Sequence, residues 1–184
     1  SATAEPHLNA VELARIQAHL QSHASPFAQI QVRNAAYERI QVRCTVKLSR
    51  GVQAGQALRR INQAITDYIS PWRAGGCQPS FEWTVRCEDV EAHVRALDGV
   101  DFVTQLSLLH VAQSDEHVYT LNDTARGQAG LISRARPRSP LSIALPMREH
   151  MVKTVDMSTD ERPEATGIAH LGIGSTFIIG KAAP

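Results

Sequence analysis

The histidines at 19 and 23 are four residues apart on a probable helix, a spacing that places two imidazoles on one face and could begin a metal site. Zinc asks for three or four ligands, and no Glu or Cys stands at an offset belonging to a known metal motif. Two solvent-facing histidines and no metal are therefore expected. Of the three cysteines, Cys44 falls at an apolar position, Cys77 in a loop and Cys87 at a helix start, where the dipole could lower a thiol pKa. A cysteine nucleophile also needs a base and an orienting group, and no local Cys/His signature supplies them. The run Gly172-Ile173-Gly174-Ser175-Thr176 lacks the Lys-Ser/Thr of a phosphate loop, and a turn between short strands is expected instead. No G-x-S-x-G elbow is present. Glu88, Asp89, Glu91, Asp98 and Asp101 are explained by capping and solvation. No catalytic residue and no cofactor is expected. A small thiol- or metal-dependent enzyme built on Cys87 or on His19 and His23 is one alternative.

The groups better placed to act are those that could meet another molecule. Arg39, Arg43 and Lys47 alternate with aliphatic residues, so in a strand they share one face. Arg134, Arg136 and Arg138 alternate in the same way. They suit a charged edge that blocks stray pairing, or a docking surface for an acidic partner. Trp72 stands in a Pro/Gly-flanked loop and is a candidate interface anchor. Phe81 and Trp83 suit core packing.

These groups need elements to carry them. The strongest is Arg39–Ser49, in which Ile40, Val42, Cys44, Val46 and Leu48 form one apolar face. A one-residue slip would turn every one of them outward, so its register should be fixed. Leu13, Ile16 and Leu20 predict a first helix over 8–20, with Asn9 as its cap and Ser25-Pro26 as its stop. Alternation over 27–33 predicts a short strand. Leu58, Ile61, Ile65 and Tyr68 predict the best helix, over 52–69, ended by Ser70-Pro71. A strand over 80–86 with Phe81, Trp83 and Val85 on one face follows. Val90, Val94 and Leu97 then predict a third helix closed by Gly99. A strand over 100–111, with Phe102, Leu106 and Leu108 on one face, completes the unit.

Beyond about Gln113 helical periodicity disappears and prolines and glycines accumulate. Short strands are expected at 117–121, 141–145, 151–155, 168–171 and 176–179, and a mobile polar loop at 158–165. The reading is an α+β fold, a two-layer sandwich of a mixed sheet with helices on one face. Residues 1–113 form this domain, and 114–184 a small β-rich appendage or arm.

Composition bounds the function. The 184 residues carry 19 Lys plus Arg against 18 Asp plus Glu, a net charge of +1. No whole-chain field draws in nucleic acid or anionic lipid. No run reaches the roughly 20 apolar residues of a membrane helix, and the N-terminus lacks the pattern of a signal peptide. An odd cysteine count argues against a disulfide framework, and a reducing, cytoplasmic setting is expected. Ser1-Ala2 reads as a cloning remnant, as in an excised fragment.

The order of the pieces then resembles a known family. Ser25-Pro26 leads to Asn34-Ala35-Ala36-Tyr37-Glu38-Arg39-Ile40-Gln41-Val42, a long strand, and a helix ending Tyr68-Ile69-Ser70-Pro71-Trp72. Gly75-Gly76, an aromatic strand start at Phe81, a helix and Leu97-Asp98-Gly99-Val100-Asp101-Phe102-Val103 complete the series. This is similar to the C-terminal part of the baseplate J-like proteins, wedge components of contractile phage tails and injection systems. The resemblance covers residues 8–111 and is loose over 114–184. Ala35 departs from it, standing where the family usually has proline. The resemblance implies a structural role without enzyme activity or cofactor. Several copies would sit around the tail axis and dock to other wedge, hub and sheath-proximal proteins. It implies no nucleic-acid partner and no membrane insertion, with assembly in a bacterial cytoplasm before incorporation into a virion tail or injection-system particle. The alternative binding class is a nucleic-acid-binding α/β sandwich using Arg39, Arg43 and Lys47.

Overall fold

In the computed structural model, which describes residues 5–73, 80–115, 118–125, 133–155 and 178–179, the alternating stretch forms strand β1 (Ala36–Leu48). Ile40, Val42 and Val46 are fully buried and Cys44 nearly so. The two-residue side-chain period sends all four to one face. Across that face lie helices α2 (Ala54–Ile69) and α3 (Cys87–Arg95), preceded in the chain by α1 (Ala10–His23). Ala57, Ile61, Ile65 and Ile69 recur every four residues along α2, which places them on one side, and all four are buried. Val90 and Val94 do the same on α3. With Trp83, Val103 and Leu108 they close one core. Each fully buried aliphatic side chain contributes roughly 1.5–3 kcal/mol of transfer free energy.

The other strands are β2 (Val85–Arg86), β3 (Val100–Asp115), β4 (Val118–Asp123), β5 (Arg134–Ala135), β6 (Ser142–Pro146), β7 (Met151–Thr154) and β8 (Ile178–Ile179). One mixed sheet has the order β6-β1-β3-β4-β8, with β7 also on β1, while β2 and β5 form a separate two-stranded ribbon. β3 runs antiparallel along one edge of β1, from Arg39↔Val111 to Leu48↔Val100. β6 and β7 share the other edge, both parallel to β1, against residues 36–40 and 43–46. The loop 147–150 bridges the gap between them. The chain is thus α+β, a mixed sheet with α2 and α3 on one face.

Three expectations change. Residues 27–33 form no strand: Phe27 belongs to a turn, and 28–33 have no regular secondary structure. Gln21 instead takes the backbone of Ala28 and Ile30, and Gln17 accepts from Val32 N–H. Two glutamine side chains on α1 therefore do what a neighbouring strand would do. Only 85–86 of the expected strand at 80–86 is a strand, and Phe81 is exposed while Trp83 and Val85 are buried. The composition change near Gln113 is not a structural seam. β4, β6 and β7 pair directly with β3 and β1, so they complete the main sheet rather than forming an arm. The strand expected at 168–171, the loop at 158–165 and the turn at Gly172–Thr176 lie outside the described residues.

β3 also carries a bulge. Its register slips between Arg43↔Ser107 and Thr45↔Thr104, and Gln105 there has φ +52°. The extra residue switches parity, so Val103 and Leu108 both face the core while Phe102 turns out. Gly99, expected to close α3, instead makes the turn into β3 with φ +83°. An added Cβ would stand 3.1 Å from Val52 Cγ2. Gly99→Ala should cost about 1–2 kcal/mol through the left-handed backbone alone, read as a lower midpoint of denaturant unfolding.

Candidate docking surfaces

The outer face of β1 is not the open basic stripe that its alternation suggested. Arg39 is partly exposed and pairs with Glu5. Gln41 and Thr45 are buried. The Arg43 side chain is only 13% exposed, and its Nη2 lies 2.7 Å from Asp123 Oδ2 on β4. Lys47 sits with its Nζ 5.4 Å from the centroid of the Phe102 ring, a cation–π arrangement. The cause is a cross-strand neighbour that alternation cannot reveal. β3 brings Leu109 and Val111 onto this same face, where they cluster with Met147, Tyr119 and Leu121. A nucleic-acid platform there would have only Arg39 and Lys47 accessible at its ends.

Other candidates do stand at the surface. Trp72 is 45% exposed just beyond the end of α2. Arg134, Arg136 and Arg138 are all exposed, around buried Ala135. The sequence reading missed their neighbour Arg86, which is exposed and directly opposite Arg134 in the β2–β5 ribbon. Arg73, Arg39 and Arg95 have carboxylate partners. Arg86, Arg134, Arg136 and Arg138 have none among the described residues.

Beneath the arginine segment lies a buried polar knot. Glu38 is in phase with Ile40 and Val42, so its carboxylate enters the core side of the sheet. There His110 Nε2 donates to it at 2.6 Å, and the backbone N–H groups of Arg138 and Ser139 donate at 3.0–3.1 Å. Trp83 packs edge-on to His110 and points its indole N–H toward the Ser142 hydroxyl. Burial alone would push the Glu38 carboxyl up. The hydrogen bonds from His110, Ser139, Arg138 and Ser142 outweigh it and hold the group down at about 2. The in-phase position of Glu38 was a readable signal; its partners were not.

A second buried group completes the shared edge of β1. In the gap between β6 and β7, Val42 N–H donates to His150 Nδ1 at 3.1 Å, and Gln41 Nε2 donates to Glu149 O. An imidazole thus replaces the strand carbonyl that a continuous ladder would supply. His150 N–H in turn donates to Asn62 Oδ1 on α2. Burial pushes the His150 imidazole down to about 4, so the ring is neutral at pH 7 and free to accept at Nδ1.

The chemical candidates are placed as follows. His19 and His23 are exposed, their ring centroids 4.6 Å apart, and His23 Nδ1 lies against the His19 carbonyl. Among the described residues no three His, Cys, Asp or Glu side chains gather into a metal-binding group. Cys44 is a core residue, its thiol pushed up to about 12 by burial and by Glu91. Cys87 does begin α3, yet its thiol is raised rather than lowered. Burial dominates, Thr124 opposes it, and Glu88 adds to it. Cys77 lies outside the described residues. No helix among the described residues is long and apolar enough to cross a membrane. No family model matches the chain, and no curated protein matches it.

Proposed function

We propose that this chain is a structural component of a contractile phage-tail or injection-system baseplate, a wedge part acting through protein–protein assembly. The observation that carries the assembly reading is α1. The helix is well formed, with a reciprocal capping box between Asn9 and Glu12, yet buries none of its residues. Val11 is 77% exposed and Phe27, just past its end, 96% exposed, with Ile16 and Leu20 also open. A helix gains most of its stability from packing its apolar stripe, and exposed apolar clusters mark interaction sites. The ordered series of Asn34–Val42, Tyr68–Trp72 and Leu97–Val103 supports the choice of family. In this reading the chain performs no reaction and needs no cofactor.

The test is co-expression with the tail proteins encoded beside it, followed by size-exclusion chromatography. Co-migration with at least one is expected, and Phe27→Asp combined with Ile16→Asp should abolish it, because both are exposed apolar side chains, one on α1 and one just past its end. A chain that is folded by circular dichroism and never co-migrates would contradict the reading.

A further inference from the structure

The ribbon of β2 and β5 holds two arginines where a single charge would already be solvated. Val85 and Ala135 face each other inward and are buried, so the next pair, Arg86 and Arg134, faces outward on adjacent strands. Residues directly opposite in an antiparallel pair have Cβ atoms about 4.5–5.5 Å apart, and like charges there are destabilising. No carboxylate among the described residues offsets this repulsion, although Arg39, Arg73 and Arg95 each have one. Arg136 continues the alternation about 7 Å farther along an extended chain.

The backbone beneath these side chains is held at both ends. Cys87 N–H donates to Ser133 O at 2.7 Å before the ribbon. After it, the buried Glu38 carboxylate takes the N–H groups of Arg138 and Ser139. Pro137 fixes φ between them. A fixed row of guanidiniums with no carboxylate partner among the described residues is preorganised for carboxylates, which arginine binds through paired N–H donors.

We propose that Arg86, Arg134 and Arg136 form a docking rail for an extended acidic segment of a partner polypeptide, one with Glu or Asp at alternate positions. The occupant follows from the spacing, since alternate side chains of an extended peptide repeat at the same interval as Arg134 and Arg136. Nucleic acid fits less well. The chain's net charge is only +1, and residues 84–86 and 133–138 contain no aromatic side chain on which a base could stack. The inference stands apart from the baseplate reading, which rests on α1.

The experiment uses the full chain and a fluorescein-labelled ten-residue peptide of alternating Glu and Thr, followed by fluorescence anisotropy, with oligo-dT of ten nucleotides as competitor. Saturable binding is expected, weakening as sodium chloride rises to 0.5 M. The Arg86→Ser/Arg134→Ser variant should bind at least tenfold more weakly, and Arg136→Ser about threefold. Arg59→Ser, on the exposed side of α2, should bind as the parent does. The double variant should also melt at the same temperature or higher, because it removes a like-charge pair. No saturable peptide binding, undiminished binding by the double variant, or tighter binding of oligo-dT than of peptide would each overturn the proposal. A lower melting temperature of the double variant would do so too, by showing that the arginines hold the ribbon itself.

Discussion

Replacing Glu38 by alanine should destabilise the protein by about 3–5 kcal/mol, because three donors gathered on its buried carboxylate lose their acceptor at about 1–3 kcal/mol each. His110 would lose the acceptor 2.6 Å from its Nε2, and the N–H groups of Arg138 and Ser139 would be left without theirs. Domains of this kind hold about 5–15 kcal/mol in total, so one carboxylate carries a large share. For a chain of this size the loss corresponds to a fall of roughly 6–20 °C in Tm, measurable by calorimetry. Glu38→Gln keeps an acceptor for the backbone and should lose less. It should also remove a pH dependence. With its folded pKa lowered to about 2, Glu38 contributes stability that is complete above its unfolded value near 4.5 and disappears as pH falls toward 2. A Glu38→Ala protein as stable as the parent would mean that the knot does not anchor the 138–142 segment to β1.

The second large effect should appear at milder acidity. His150 is buried and its folded pKa lies at about 4, against 6.5 for the free side chain. The depressed value means that the unfolded chain takes up the proton first. Stability is therefore complete above pH 6.5, declines between 6.5 and 4, and then stops responding to this group. The span amounts to about 3 kcal/mol. Protonation also removes the lone pair that accepts from Val42 N–H, in the gap where β6 gives way to β7. Guanidinium midpoints at pH 7, 5.5 and 4 should trace the decline, and His150→Gln, which still offers an acceptor but does not titrate, should flatten it. An unchanged slope in that variant would place the acid sensitivity elsewhere.

Much of the fold was legible because local periodicity reports which face of an element is apolar. Ile40 to Val46, and Ile61, Ile65 and Ile69, announced the two surfaces that meet, and Asn9 and Ser25-Pro26 announced where α1 begins and stops. Even β4, β6 and β7 could be located as short strands. What periodicity leaves out is who stands next to whom. The segment 28–32 alternates like a strand, but Gln17 and Gln21 satisfy its backbone. The outer face of β1 reads as wet until β3 lays Leu109 and Val111 beside it. Gln105 shifts the parity of β3 within the strand, which turns Phe102 outward. The candidate sites follow the same division. Arg134, Arg136 and Arg138 and Trp72 were readable from type and spacing and do stand at the surface. Arg86 was not, because its significance comes from a partner 48 positions away.

The chain's place in a particle is the central claim, and its location can be measured directly. Contractile particles should be purified from cells that encode the chain, and their baseplates imaged by electron cryomicroscopy. The account predicts copies of the six-stranded sheet with α2 and α3 arranged around the tail axis, α1 and Phe27 covered by a neighbouring tail protein. Complete baseplates that lack this chain, or copies within them whose α1 faces only solvent, would contradict it.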